Sequence, residues 1–203
     1  MLAFWGGLGS VPAVLCIFFL GDMEAAVHYA AEFRRLAKLV AGSISLAAIY
    51  QLETLACIAL YRQTRKRHLV VVARRNARLL ANLAKKAPDF CLGKSFLLKA
   101  ELGSLKAMKK KKKNTNKTIV DDTVLHHYKC AVSLAGSYKI LSDEAVACEL
   151  TGRYLVRDCQ NESEGLYYIG KACEVYQQWG SEIRGEQLAE EFANMRVKAA
   201  NWR

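Results

Sequence analysis

The chain has 203 residues, 52% of them hydrophobic and 24% charged, with a formal net charge of +11. That is enough for one sizeable core, or for a core spread along a row of helices. Only two prolines, Pro12 and Pro88, interrupt it, which favours long helices over a turn-rich β fold. Seven cysteines, at 16, 57, 91, 130, 148, 159 and 173, include no Cys-x-x-Cys pair; the count is odd, so a disulfide framework and a structural zinc site are both disfavoured. A reducing, cytoplasmic setting suits them.

Residues 1–21 carry no charge, and about 18 apolar residues suffice to suggest a membrane span. Membrane association through residues 2–20 is therefore one expectation, although four glycines, a proline and the missing basic flank speak against it. Asp22 is placed to cap a helix over Met23 to Val40, with Ala26, Tyr29, Ala30, Phe33, Leu36, Ala37 and Val40 on its apolar face. Leu39 to Tyr61 is the second apolar run, but Gln51 and Glu53 interrupt it, and a carboxylate at the centre of a span costs about 2.5–3.5 kcal/mol. A helix from about Ile44 to Arg62 is predicted there.

Residues 64–68, TRKRH, form a basic turn, and Leu69 to Lys86 is the next helix. Its expected inner face is Val72, Ala73, Leu79, Leu80 and Leu83, and its outer face Arg74, Arg75, Arg78 and Lys85. Pro88 ends this pair. Leu92 to Ala107 follows, with Phe96, Leu97, Ala100, Leu102 and Leu105 as core. Residues 109–118, KKKKKNTNKT, read as a mobile basic loop or frayed helix end, because adjacent like charges repel. Ile119 to Ala135 supplies a partner helix on which Val124, Tyr128 and Ala131 recur at intervals of four and three; Gly136 is expected to close it.

Ala147 to Gly180 reads as a helical hairpin with a specified seam. Leu150, Thr151 and Tyr154 lie on its first helix, Gly165, Ile169 and Ala172 on its second. Small residues let helices approach, and Leu150, Tyr154 and Ile169 supply apolar area. Ser142, Asp143 and Glu144 are expected to cap the first helix, Gly180 and Ser181 to end the second. Glu182 to Lys198 closes the chain with an acidic outer face.

The fold class is thus all-α: a single helical-repeat domain over 1–203, made of stacked antiparallel hairpins like tetratricopeptide repeats. The pairs fall at 2–41, 44–86, 92–135 and 141–179, with a capping helix at 182–198. Leu55, Leu98 and Leu150, taken as anchors of successive first helices, are 43 and 52 residues apart, against about 34 for an ordinary tetratricopeptide repeat.

ALYRQTRKR (59–67), FLLKAEL (96–102), LSDEAVACELTGRYL (141–155) and YYIGKACEVYQQWGS (167–181) resemble the C-terminal helical-repeat region of large multidomain signalling ATPases. There, degenerate tetratricopeptide-like helices follow an AAA-type or related NTPase module, sometimes with protein-kinase or histidine-kinase modules. FWGGLGS (4–10) also looks like the opening of a helix from that region. The resemblance implies protein contacts, including contacts with other domains of a larger ATPase assembly, and no catalytic activity: no G-x-x-x-x-G-K-[ST] and no kinase catalytic loop is present.

Three functional expectations follow. The first is a non-catalytic scaffold for a protein partner, needing no cofactor, metal or small-molecule substrate. The second is a nucleic-acid or anionic-membrane binder: Arg62 to Lys86 holds nine basic and no acidic residues, whereas Asp143 to Arg203 holds seven basic against eleven acidic. The patch would comprise Arg62, Arg65, Lys66, Arg67, Arg74, Arg75 and Arg78 with Lys109, Lys110, Lys111, Lys112 and Lys113, binding phosphate by clustered charge. The third is a membrane-anchored protein. His126 and His127 are adjacent and so diverge by about 100° on a helix, which reads as two surface histidines rather than metal ligands. Cys130, four residues after His126, reads as a packed cysteine. The aromatic residues Tyr154, Tyr167, Tyr168, Tyr176 and Trp179 read as core.

Overall fold

The computed structural model describes residues 21–35, 44–111 and 121–200. All regular structure among them is α-helical, in the order α1 (Met23–Arg35), α2 (Ile44–Thr64), α3 (Arg67–Ala84), α4 (Pro88–Lys111), α5 (Asp122–Ser137), α6 (Leu141–Arg157), α7 (Glu162–Trp179) and α8 (Glu182–Ala200). None of these helices is long and apolar enough to cross a membrane. The apolar run 39–61 is largely α2, and its side chains from Leu46 onward are almost all buried against protein; residues 2–20 lie outside the described set.

Two compact units divide the chain, Met1–Leu102 and Gly103–Arg203, with the boundary inside α4. In the first unit α2 packs against both α1 and α3. Asp22 caps α1 as its position predicts, accepting from the Ala25 N–H at 3.0 Å. Ala26, Ala30 and Phe33 face inward, but Tyr29 is half exposed. Pro88 does end the α2–α3 pair, and it also opens α4, where a missing N–H costs nothing. The helix expected from Leu92 therefore begins four residues sooner. It runs on through Lys111, so the first three lysines of the basic run are helical; Lys112 to Thr118 are outside the described residues.

In the second unit α5, α6, α7 and α8 each pack on the next. Asp121 caps α5 by accepting from the Val124 N–H, and Asn161 caps α7 through the Glu164 N–H. Two turn predictions need correction. Gly136 lies within α5, and the left-handed residue that breaks the chain is Lys139, at φ 54°. The residue preceding α6 is Ile140, with no side-chain cap, rather than Ser142 or Asp143. Gln160, at φ 56°, makes the turn into α7. Gly180, at φ 84°, ends α7 as expected.

The register of burial recurs with one spacing. Ile49, Leu97 and Ala145 are buried; so are Tyr50, Leu98 and Val146; Leu52, Ala100 and Cys148; and Glu53, Glu101 and Glu149. The partner helices show the same interval in Asn76, Val124 and Ala172, and in Leu80, Tyr128 and Tyr176. Each step, as from 53 to 101 and from 101 to 149, is 48 residues. The leucine anchors at 55, 98 and 150 are accordingly not equivalent positions, and Leu150 is only half-buried.

Candidate interaction surface and buried ionic clusters

The densest packing lies between α6 and α7. A methyl added to Gly152 would stand 2.7 Å from the Ile169 side chain and 2.8 Å from the Gly165 carbonyl oxygen. One added to Gly165 would meet Val156 at 2.6 Å and the Gly152 carbonyl oxygen at 3.1 Å. The two helices thus cross backbone to backbone, as small residues permit. Thr151, Tyr154, Gly165, Ile169 and Ala172 are all buried here as the seam requires; Gly152, one residue after Thr151, is the contact that the intervals of three and four overlooked. Thr151 returns its hydroxyl proton to the Ala147 carbonyl at 2.6 Å. Tyr128 and Ala131 of α5 are buried, with the Tyr128 and Tyr154 rings 5.0 Å apart.

Three glutamates sit in the core, each joined to arginine. Glu53 of α2 pairs with Arg34 of α1 at 3.1 Å and accepts from Asn76 of α3 at 2.7 Å. Burial raises its carboxyl above the ordinary value, against the pull of Arg34 and Asn76. Glu101 of α4 pairs with Arg62 of α2 at 2.9 Å. Glu149 of α6 collects Arg153 at 2.9 Å, Arg184 of α8 and the Tyr176 hydroxyl of α7 at 2.7 Å. Arg153 also grips Glu191 of α8 through two bonds of 2.6 Å, which hold the Glu191 carboxyl below its usual value. These carboxylates are crossties between helices, and the cost of burying a charge is offset only because each has its partners.

The six described cysteines are free, and burial pushes the thiols of Cys57 and Cys148 up to about 12. Lys94 of α4 is buried and its ammonium drawn down to about 8 by desolvation. His126 Nε2 lies 3.4 Å from Cys130 Sγ on the α5 surface; Cys130 is half-buried rather than packed in the core. No three His, Cys, Asp or Glu side chains among the described residues gather to hold a metal ion. Of the five aromatics assigned to the core, Tyr154 and Tyr176 are buried, whereas Tyr167 is 67% exposed.

The basic patch divides. Arg62 turns inward to Glu101. Arg65 occupies the turn at φ 60°, its guanidinium 5.9 Å from the Tyr61 ring centre. Lys66 precedes α3, and Arg67, Arg74, Arg75 and Arg78 are exposed along it. Lys109 to Lys111 form the end of α4, 30 or more residues away in sequence, and Lys112 and Lys113 lie outside the described residues. The face that α3 buries is Leu69, Val70, Ala73, Asn76, Leu80 and Ala84. Leu79, expected inside, is exposed, and Asn76 takes an inner position because Glu53 needs its amide. The outer face of α3 carries Arg67, Val71, Arg74, Arg75 and Arg78, with no ion pair to these arginines among the described residues.

No protein-family model, curated protein or solved structure matches this chain.

Proposed function

We propose that the chain is a non-catalytic scaffold of stacked helical hairpins, which acts by presenting rigid helix faces to a protein partner. The observation that carries this reading is the 48-residue recurrence of buried positions, including a glutamate in each of α2, α4 and α6. A repeated pair of helices buries one face against its neighbours and leaves the other as a binding surface. The strongly placed ionisable groups are spent on holding helices together, which suits a molecule whose mechanism is shape. The likeness to the repeat region of signalling ATPases supports the same reading and makes other domains of such an assembly reasonable partners; a reducing cytoplasm suits the free thiols.

Cross-linking of the full chain in its native cell, followed by identification of the attached proteins, tests this. The scaffold reading expects a defined partner set that shrinks when Arg74, Arg75 and Arg78 are changed to glutamate. An unchanged set for substitutions on every exposed helix face would refute it. A second reading, backbone-phosphate binding to nucleic acid or anionic lipid, is favoured by the α3 arginines, which make no ion pair among the described residues. It predicts retention on RNA or phosphatidylserine vesicles that falls steeply with salt.

A further inference from the structure

Two exposed helix faces of this chain are complementary. On α3, Arg67, Arg74, Arg75 and Arg78 surround Val71, which is 65% exposed, and no acidic residue occurs between Glu53 and Asp89. On α8, Glu182, Glu186 and Glu190 are exposed at successive intervals of four beside Ile183, which is 70% exposed. The one basic residue of α8 between 182 and 193, Arg184, turns inward to Glu149. Each face therefore carries charge of a single sign around an uncovered aliphatic side chain. Arginine suits carboxylates through its planar fork, and the two aliphatic residues give a desolvated centre that phosphate would not use.

We infer that the α3 face of one copy docks on the α8 face of a second copy. The inference rests on the scaffold reading, since it makes helix faces the working surface, and it names this chain as an occupant. The contact joins different surfaces of the two copies, so it either closes reciprocally, α3 on α8 twice, in a symmetric dimer or repeats head to tail in a ring or row. A single helix laid on a helix is a small interface, below the ordinary size for a permanent complex. Association is accordingly weak, concentration-dependent and sensitive to salt.

Sedimentation of the full chain across a salt series provides the test. The wild type should grow in mass with concentration at low salt and dissociate as salt rises; apolar aggregation would show the opposite salt response. A variant with Arg74→Glu, Arg75→Glu and Arg78→Glu should lose association by about tenfold or more. So should one with Glu182→Lys, Glu186→Lys and Glu190→Lys. Mixing the two should restore it, because each then offers the complement of the other. All six positions are exposed, and circular dichroism checks that each variant is folded. A wild type that stays monomeric at low salt, or association that persists in both variants, overturns the inference. In that event a fluorescein-labelled polyglutamate peptide separates the readings: binding lost in the arginine variant leaves a scaffold for another acidic partner, and no binding removes α3 as a docking face altogether.

Discussion

The α2–α3 hairpin and the α6–α7 hairpin have the same number of helices and the same buried register, yet they are held together differently. No glycine occurs in Ile44–Ala84, so every position of α2 and α3 carries a side chain. Across α6 and α7, Gly152 and Gly165 bring backbones into contact. The buried carboxylates differ in parallel: Glu53 has one arginine and one amide, whereas Glu149 has two arginines and a tyrosine. Packing by side chains can adjust to a change, but packing by backbone cannot, and a charge with three partners strands more groups when it is lost.

The largest effect should come from Glu149→Ala, which leaves Arg153, Arg184 and Tyr176 without their shared acceptor. Thermal or urea unfolding should show a loss of about 3–5 kcal/mol. Glu53→Ala strands one arginine and one amide, Arg34 and Asn76, fewer groups than at Glu149, so about 1–3 kcal/mol is expected there. Equal losses at the two sites would abolish the distinction between them.

Gly152→Ala comes next, at about 2–3 kcal/mol, since the new methyl meets the Gly165 carbonyl, which cannot swing away. The same change at Gly170, where nothing lies within 4 Å, should stabilise α7 by about 0.5–1 kcal/mol through helix propensity. A Gly152→Ala protein as stable as the wild type in urea would mean that the helices do not touch there.

The smallest expected contrast is in pH dependence. The folded pKa of Glu53 lies above its ordinary value near 4.5, so the folded state holds that proton more tightly than the unfolded chain does. Its contribution is largest below that value and declines as pH rises through the folded pKa. Glu191 is shifted down from the same value; its contribution is present above 4.5 and disappears as pH falls through the folded pKa. Hydrogen exchange on acidification should therefore slow in α2 relative to a Glu53→Gln control and quicken in α8 relative to Glu191→Gln. Movement in the same direction at both would contradict these shifts.

Much of the helix order was legible in the sequence, because apolar residues at intervals of three and four mark a buried stripe whatever the tertiary context. The turns were less so. Arg65, Lys139 and Gln160 adopt the left-handed conformation that glycine or asparagine would advertise, and long polar side chains give no such sign. Hydropathy put Leu79 inside and left Asn76 unnoticed, since it takes no account of a buried carboxylate that needs a donor. The repeat register was missed by anchoring on leucine, a residue too common to mark one position. Glutamate in an apolar helix is rare enough to do so, and Glu53, Glu101 and Glu149 were the available signal. The glycine contact was half visible: Gly165 stood in the predicted seam, but its opposite number, Gly152, did not.

The placement of Trp179 also makes the second unit report on itself. Its indole lies 6.5 Å from the Tyr176 ring, whose hydroxyl ends on Glu149. Excitation absorbed by Tyr176 can pass to Trp179, so with Trp5 and Trp202 changed to phenylalanine the emission spectrum carries an optical signal from the α6–α7–α8 junction without any attached dye.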